Sequence, residues 1–219
     1  MLSKLNTANG VGLTALETMG GSIPIWQNPE DLQKDQGGFT IANPPAALAI
    51  IPAGTPVNID ESARTLGVGY RFEVYEEVAD DAVIIKVVKY STKYGALAKV
   101  GMHLMAMPAA LATAGAAYTI TAIDTTTSAL YDAITIGTTL GATLAVGSVV
   151  AEADSTHATT AVLKYAGERL TYDDVFISSD ALQYNVSTVY FGSVYARRIR
   201  EIAAIERAAM PQINFSESK

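Results

Sequence analysis

A chain of 219 residues with a formal net charge of -7 and a pI near 4.8 can bury one sizeable core, and it carries no block of Lys or Arg. That balance excludes the electrostatic footprint of a nucleic-acid binder or of a protein held on anionic lipid. Cysteine is absent, which removes disulfides and thiolate metal sites; charged residues are only 17%, so much of the surface must be Ala, Thr, Ser and Gly or be covered by another chain.

Residues 1–47 read as an extended N-terminal arm. Gly10, Gly12, Gly20, Gly21, Gly37 and Gly38 punctuate them, with Pro24, Pro29, Pro44 and Pro45, and no period is sustained. The opening "MLSKLNTANGVGLTALE" has no leucine-rich run before a small-residue cleavage site, so cytoplasmic synthesis is expected. Within the arm, "SIPIWQNPEDL" sets the single tryptophan, Trp26, among Ile23, Ile25 and Leu32. That is too much apolar area for a segment left in water, so it either packs back on its own domain or docks on a partner. Ile23, Ile25, Trp26 and Phe39 are the candidate partner-binding anchors.

Residues 48–219 read as a β-rich domain. "IIPAGTPV" (50–57) places a proline on each side of Ala-Gly-Thr, and the rhythm returns as "AKVGMHL" (98–104) and "LAVGSVV" (144–150). The pattern predicts sharp turns at Gly54, Gly101 and Gly147 before a strand resumes, with Pro52 and Pro56 at a sheet edge or barrel rim. From Tyr70 the period becomes two: Phe72, Val74 and Val78 on one side, Arg71, Glu73 and Glu77 on the other. "VIIKVVKY" (83–90) follows an acidic turn at Asp80 and Asp81, which predicts a hairpin. Further strands are expected at 100–105, 118–123, 133–136, 144–150, 162–165 and 186–194. A helix is expected at 196–210, with Ile199, Ile202, Ala203 and Ala209 on its buried face, an Arg197–Glu201 pair, and Pro211 as its stop. Ile213 and Phe215 alternate as in a last short strand. The Ala- and Thr-rich windows "AMPAALATAGAAY" and "IGTTLGATLAVGSVVA" are too short or too weakly apolar to span a bilayer, so no membrane segment is expected.

Reactive chemistry is sparse. "GVGLTA" (10–15) matches a loose dinucleotide fingerprint but lacks the preceding buried strand, and "GTTLGATLAVG" has no GK[ST]. His103 and His157 are far apart in sequence and lack a helical H-x-x-x-H partner, so no metal site is expected; His103 is placed at a solvent or interface position and His157 in a loop. The pairs Glu76-Glu77, Asp80-Asp81 and Asp173-Asp174 fit turn chemistry better than a carboxylate dyad, since adjacent strand residues face opposite ways. "TYDDVFISSDAL" lacks the calcium-loop pattern, and no G-x-S-x-G elbow accompanies the many hydroxyls. The expectation is therefore no catalytic residue, no cofactor and no enzyme.

The ordered set "VLKYAGERLTYDDVFI…NVSTVYFGSVYARRIREIAAIERAAMPQINF" resembles the end of phage head-decoration and head-fibre proteins. In those a "V-x-G-x-V" strand is followed by a basic residue, a short helix and a final "P-x-I-x-F" strand; here the positions are Tyr190, Gly192, Val194, Arg197 or Arg198, Pro211, Ile213 and Phe215. "IPAGTPV" is similar to their "AGT-x-V" opening strand. The resemblance covers residues 50–215; the long arm and the Ala/Thr-rich middle depart from a minimal member. It implies a virion protein on the capsid exterior that binds the major capsid protein, commonly as a homotrimer. A glycan-binding or adhesion module, recognising a host surface glycan through Tyr70, Tyr75, Tyr90, Tyr94, Tyr165 and Tyr172, is the alternative. The expected fold is mainly β: a barrel- or sandwich-like domain with an extended N-terminal arm and one C-terminal helix.

Overall fold

The computed structural model describes residues 24–35, 38–46, 48–90, 96–178 and 185–217. The fold is mainly β, as the alternation requires. Its strands are β1 (Gln33–Lys34), β2 (Thr40–Ile41), β3 (Ile50–Ile51), β4 (Pro56–Asp60), β5 (Thr65–Val68), β6 (Arg71–Glu73), β7 (Ile84–Val88), β8 (His103–Ala106), β9 (Gly115–Asp124), β10 (Tyr131–Ile136), β11 (Val149–Ala153), β12 (His157–Ala161), β13 (Arg169–Thr171), β14 (Val175–Phe176), β15 (Thr188–Tyr195) and β16 (Ile213–Ser216). A single α-helix among the described residues, α1 (Ala204–Ala209), precedes the last strand.

Strands β6-β11-β8-β9-β10-β7 pair antiparallel in that order. The two ends meet where Val74 bridges Val87 and the Tyr75 N–H donates to Lys86 O at 2.8 Å, so the sheet closes on itself as a small barrel. Closure removes the unpaired edges that an open sheet exposes. Period two sends Phe72, Val74, Ile85, Val87, Leu104, Ile120, Ile134 and Val150 inward, where they are buried together. Outside β8, β9 and β11, β12 and Leu163 cover Met105, Ala117, Ala151 and Ala153. Alanine suits this layer because a covering strand must approach the barrel wall closely.

The second sheet runs β1-β15-β13-β4-β5-β2, with β16 parallel to β15. Its two faces are buried differently. Val57, Leu66, Val68 and Ile41 join the barrel core, whereas Leu170, Val189 and Val194 pack against Ile25, Trp26, Ile202 and Met210.

Several expectations need correction. Pro56 does not lie at an edge: β4 sits between β13 and β5, with Pro56 opposite Leu170. It is the first residue of the strand, where a missing N–H is tolerated, and its carbonyl accepts from Gly69 N at 2.8 Å. β6 and β7 share only the Val74–Val87 bridge, and each pairs along its length with another strand, β11 or β10. The strand expected at 162–165 lies earlier, at β12, so His157 opens a strand, and that expected at 144–150 starts at Val149.

The helix expected at 196–210 is confined to α1. Ala196–Arg198 forms a 3-10 turn, and Ile199 and Ala203 are both extended (ψ 166° and 143°). Residues two apart oppose each other on a helix but share a side when extended. Here Ile202 is fully buried and Arg200 is drawn over the Tyr90 ring at 4.3 Å, so both must face inward. Glu206 is likewise buried, and the Arg197–Glu201 pair is replaced by Arg197–Glu217 and Arg207–Glu201.

The recurring glycines do turn the chain. Gly54, Gly101 and Gly147 have φ of +79°, +94° and +78°. Two of these turns close by Met102 N–H to Lys99 O and Ser148 N–H to Ala145 O, both 3.1 Å, leaving Val100 and Val146 exposed at the tips.

Candidate functional site

The described part of the arm is laid onto the second sheet. Trp26 bridges Val194; Tyr195 N–H donates to Ile25 O at 2.8 Å and Gln27 N–H to Ser193 O at 3.0 Å. The Trp26 indole donates to Tyr172 O at 2.9 Å, and the two rings stack at 6.2 Å. Phe39 exchanges backbone hydrogen bonds of 2.9 Å with Val186, under the Arg64 guanidinium.

Ile25, Trp26 and Phe39 are 8%, 7% and 2% exposed, each covered by its own chain. Ile23 lies outside the described residues. Ile25 and Trp26 also form one wall of a surface hollow.

That wall is part of an open hollow of about 500 Å³ whose lining also includes Pro52, Ala53, Tyr172, Asp173, Asp174 and Arg198. Its shape follows from local chemistry. The turn at 52–55 is buttressed by Thr171, whose hydroxyl donates to Pro52 O at 2.9 Å and accepts from Thr55 N at 3.0 Å. A Cβ on Gly54 would lie 2.4 Å from Ile199 Cγ2, so glycine lets the C-terminal crossover pass over the turn. Asp174 Oδ1 accepts from Ala53 N at 2.7 Å. A second hollow of about 360 Å³ shares Asp173 and Asp174 and runs toward Asn185 and Ser187.

Charges around the cavity are unevenly used. Arg198 donates to Pro24 O at 2.7 Å and lies over the Tyr195 ring at 4.1 Å. The Lys34 ammonium sits 3.8 Å from the Tyr172 centroid. Burial pushes the Asp173 carboxyl up from its ordinary value, with Lys34 opposing and Asp174 adding to the shift. Of the two adjacent carboxylates, Asp174 is held through Oδ1 by the Ala53 amide.

Other sequence candidates are dispersed. His103 Nδ1 lies 3.0 Å from Thr119 Oγ1, and His157 is exposed opposite Ala117 on the far side of β9. Among the described residues no three His, Asp or Glu side chains gather as a metal site. Of the tyrosines read as glycan platforms, Tyr70 is buried with its hydroxyl donating to Asn43 O at 2.7 Å, Tyr75 packs on Tyr131, and Tyr165 fills the space beside Gly67. Tyr90 is 43% exposed but donates to Glu73 at 2.8 Å beneath Arg200. Tyr94 lies outside the described residues.

Sequence reasoning missed the cavity because its walls are up to 174 residues apart, as in the Arg198–Pro24 bond. A lone Trp and a Tyr-Asp-Asp run were the only signals, and nothing local connects them. No family model, no curated protein and no solved structure matches this chain.

Proposed function

We propose that this chain is a structural virion protein that decorates, or forms fibres on, a phage capsid by binding the major capsid protein, as a homo-oligomer with a trimer favoured. The observation that carries the reading is the unit β15–α1–β16. The residues behind the resemblance fall into it in order: Gly192 pairs with Ile213 and Val194 with Phe215, in parallel, across a crossover that holds Arg197, Arg198, α1 and Pro211. Parallel neighbours require such a crossover, so the spaced sequence pattern corresponds to one supersecondary element.

Surface character supports the same reading. Ile84, Leu130, Val100, Val146 and Phe191 are between 45% and 65% exposed, spread over turns and strand surfaces of a weakly charged molecule. Attachment to a lattice needs mainly complementary area, of about 1,600 Å² for a standard interface. Ile25, Trp26 and Phe39 serve this reading by holding the N-terminal segment in place rather than by inserting into the shell.

The test is co-sedimentation of the full chain with empty heads of its virus, alongside mass photometry of the free chain. Saturable binding at a fixed copy number that persists in 0.5 M salt, on the order of an apolar interface's salt tolerance, is expected. A monomer that stays in the supernatant at every concentration refutes it.

A further inference from the structure

We propose that Leu48 is a knob that seats in the hollow beside Trp26 on a second copy of this chain. The inference rests on the homo-oligomeric reading and supplies the contact that holds such an oligomer together.

Leu48 stands where a leucine is costly. Its φ is +64°, in the left-handed region that glycine and asparagine enter and that a leucine Cβ resists. The conformation is fixed by the chain around it: Leu48 N–H donates to Ile177 O at 2.7 Å, and Ile177 N–H donates to Ala49 O at 2.8 Å. Yet the side chain gains little cover from its own chain, being 59% exposed. A strained backbone that displays an apolar group to water points to a gain made outside the chain, and a knob already held in place loses little entropy when it docks.

The hollow of about 500 Å³ has room for a leucine side chain and the turn that carries it. Pro24, Trp26, Pro29, Pro52, Ala53 and Tyr172 line it. Two of its charged groups are held by the chain itself, Asp174 by Ala53 N and Arg198 by Pro24 O. Exposed Asp173 belongs to the polar rim that surrounds the apolar centre of an interface. The occupant is a second copy because both halves of the contact are on one chain and share a segment without charge: residues 38–59, which carry Leu48, Pro52 and Ala53, hold no Asp, Glu, Lys or Arg. Copies that each bear a net charge of -7 meet with least repulsion through such a segment. Knob and hollow are different surfaces, so the contact is heterologous, the kind that closes a ring such as a trimer.

Sedimentation velocity of the full chain across a dilution series provides the test. Wild type is expected to associate reversibly. Leu48→Asn removes the knob and Pro29→Arg puts a long charged side chain into the hollow; each should weaken association at least about tenfold. Both positions are exposed, so both variants should keep the wild-type circular dichroism spectrum. Leu48→Asn should also unfold at a urea concentration no lower than wild type, since asparagine accepts the left-handed conformation. Mixing the two variants leaves one intact knob, on the Pro29→Arg chain, and one intact hollow, on the Leu48→Asn chain, and should give a species of two chains. A wild-type chain that stays monomeric, an oligomer that survives either substitution, or a mixture that remains monomeric would each overturn the proposal. Co-sedimentation with empty heads separates it from the capsid reading: head binding by a monomeric Leu48→Asn chain leaves that reading standing. Loss of head binding with the oligomer intact would assign Leu48 to the shell and overturn the contact between copies.

Discussion

Replacing Glu206 by glutamine tests how the C-terminal crossover is fastened to the barrel. Glu206 Oε1 accepts Arg71 Nε at 2.9 Å and Nη2 at 2.6 Å, while Arg71 Nη1 and Nη2 donate to the carbonyls of Tyr70 at 2.9 Å and Tyr165 at 2.5 Å. One guanidinium therefore joins β6, the connection after β12, and α1. The two side chains are 3% and 0% exposed, so neither charge has water to fall back on. Removing one member of such a pair costs about 3–5 kcal/mol, because the other is left buried and uncompensated. Glutamine preserves shape and one acceptor, which isolates the charge; its amide nitrogen also replaces an oxygen that has no hydrogen-bond partner, adding an unsatisfied donor worth about 1–3 kcal/mol. Either loss is a large share of a domain stability of about 5–15 kcal/mol. The Arg71→Met/Glu206→Met double variant removes both charges and leaves the Tyr165 carbonyl without its guanidinium donor, while Tyr70 O still accepts from Glu152 N at 3.1 Å. It should be less destabilised than the sum of its singles by about 3 kcal/mol or more. Urea unfolding followed by Trp26 fluorescence and far-UV circular dichroism measures all four proteins. A Glu206→Gln loss below about 1 kcal/mol, or single losses that simply add, refutes the reasoning.

Trp26→Ala should cost about 3–5 kcal/mol of stability, as truncation of a buried aromatic does; an unchanged urea midpoint would contradict its packing on the chain's own sheet. Gly54→Ala should destabilise far more than Gly101→Ala, because both have positive φ but only Gly54 meets a neighbour, Ile199, while nothing lies within 4 Å of a Cβ on Gly101; equal melting temperatures would contradict this. Asp173 has a folded pKa raised by burial, so its contribution to stability is full below the unfolded value and is lost as pH rises through the folded one. Asp173→Asn should accordingly melt above wild type at neutral pH, with the gap closing in acid; a gap that widens in acid reverses the sign and the argument.

Much of the fold was legible in the residues themselves. Period-two runs at Phe72–Val74, Ile85–Val87 and Ile134–Ile136 declared one buried side each, and burial on one side is a property of a strand and its immediate neighbours. The glycine turns at Gly54, Gly101 and Gly147 were equally local, since glycine enters a positive φ without the steric penalty a Cβ brings. Ile213 and Phe215 were likewise readable as a last strand. Partner choice was not legible: β4 lies between β5 and the distant β13, which puts Pro56 in mid-sheet, and no spacing in the chain encodes that pairing. The helix failed for the same reason, because the pull of Tyr90 on Arg200 and of the sheet on Ile202 outweighs a helical propensity worth only tenths of a kcal/mol per residue, on the order of 0.5.

By itself, then, the sequence determined the β character, the turn positions, the absence of cysteine chemistry and the need to cover Trp26. Tertiary structure alone decided that Trp26 would be covered by Tyr172 and that Arg71 would find Glu206. Local preferences act over a few residues, whereas burial and charge pairing act between groups that only the closed chain brings within reach.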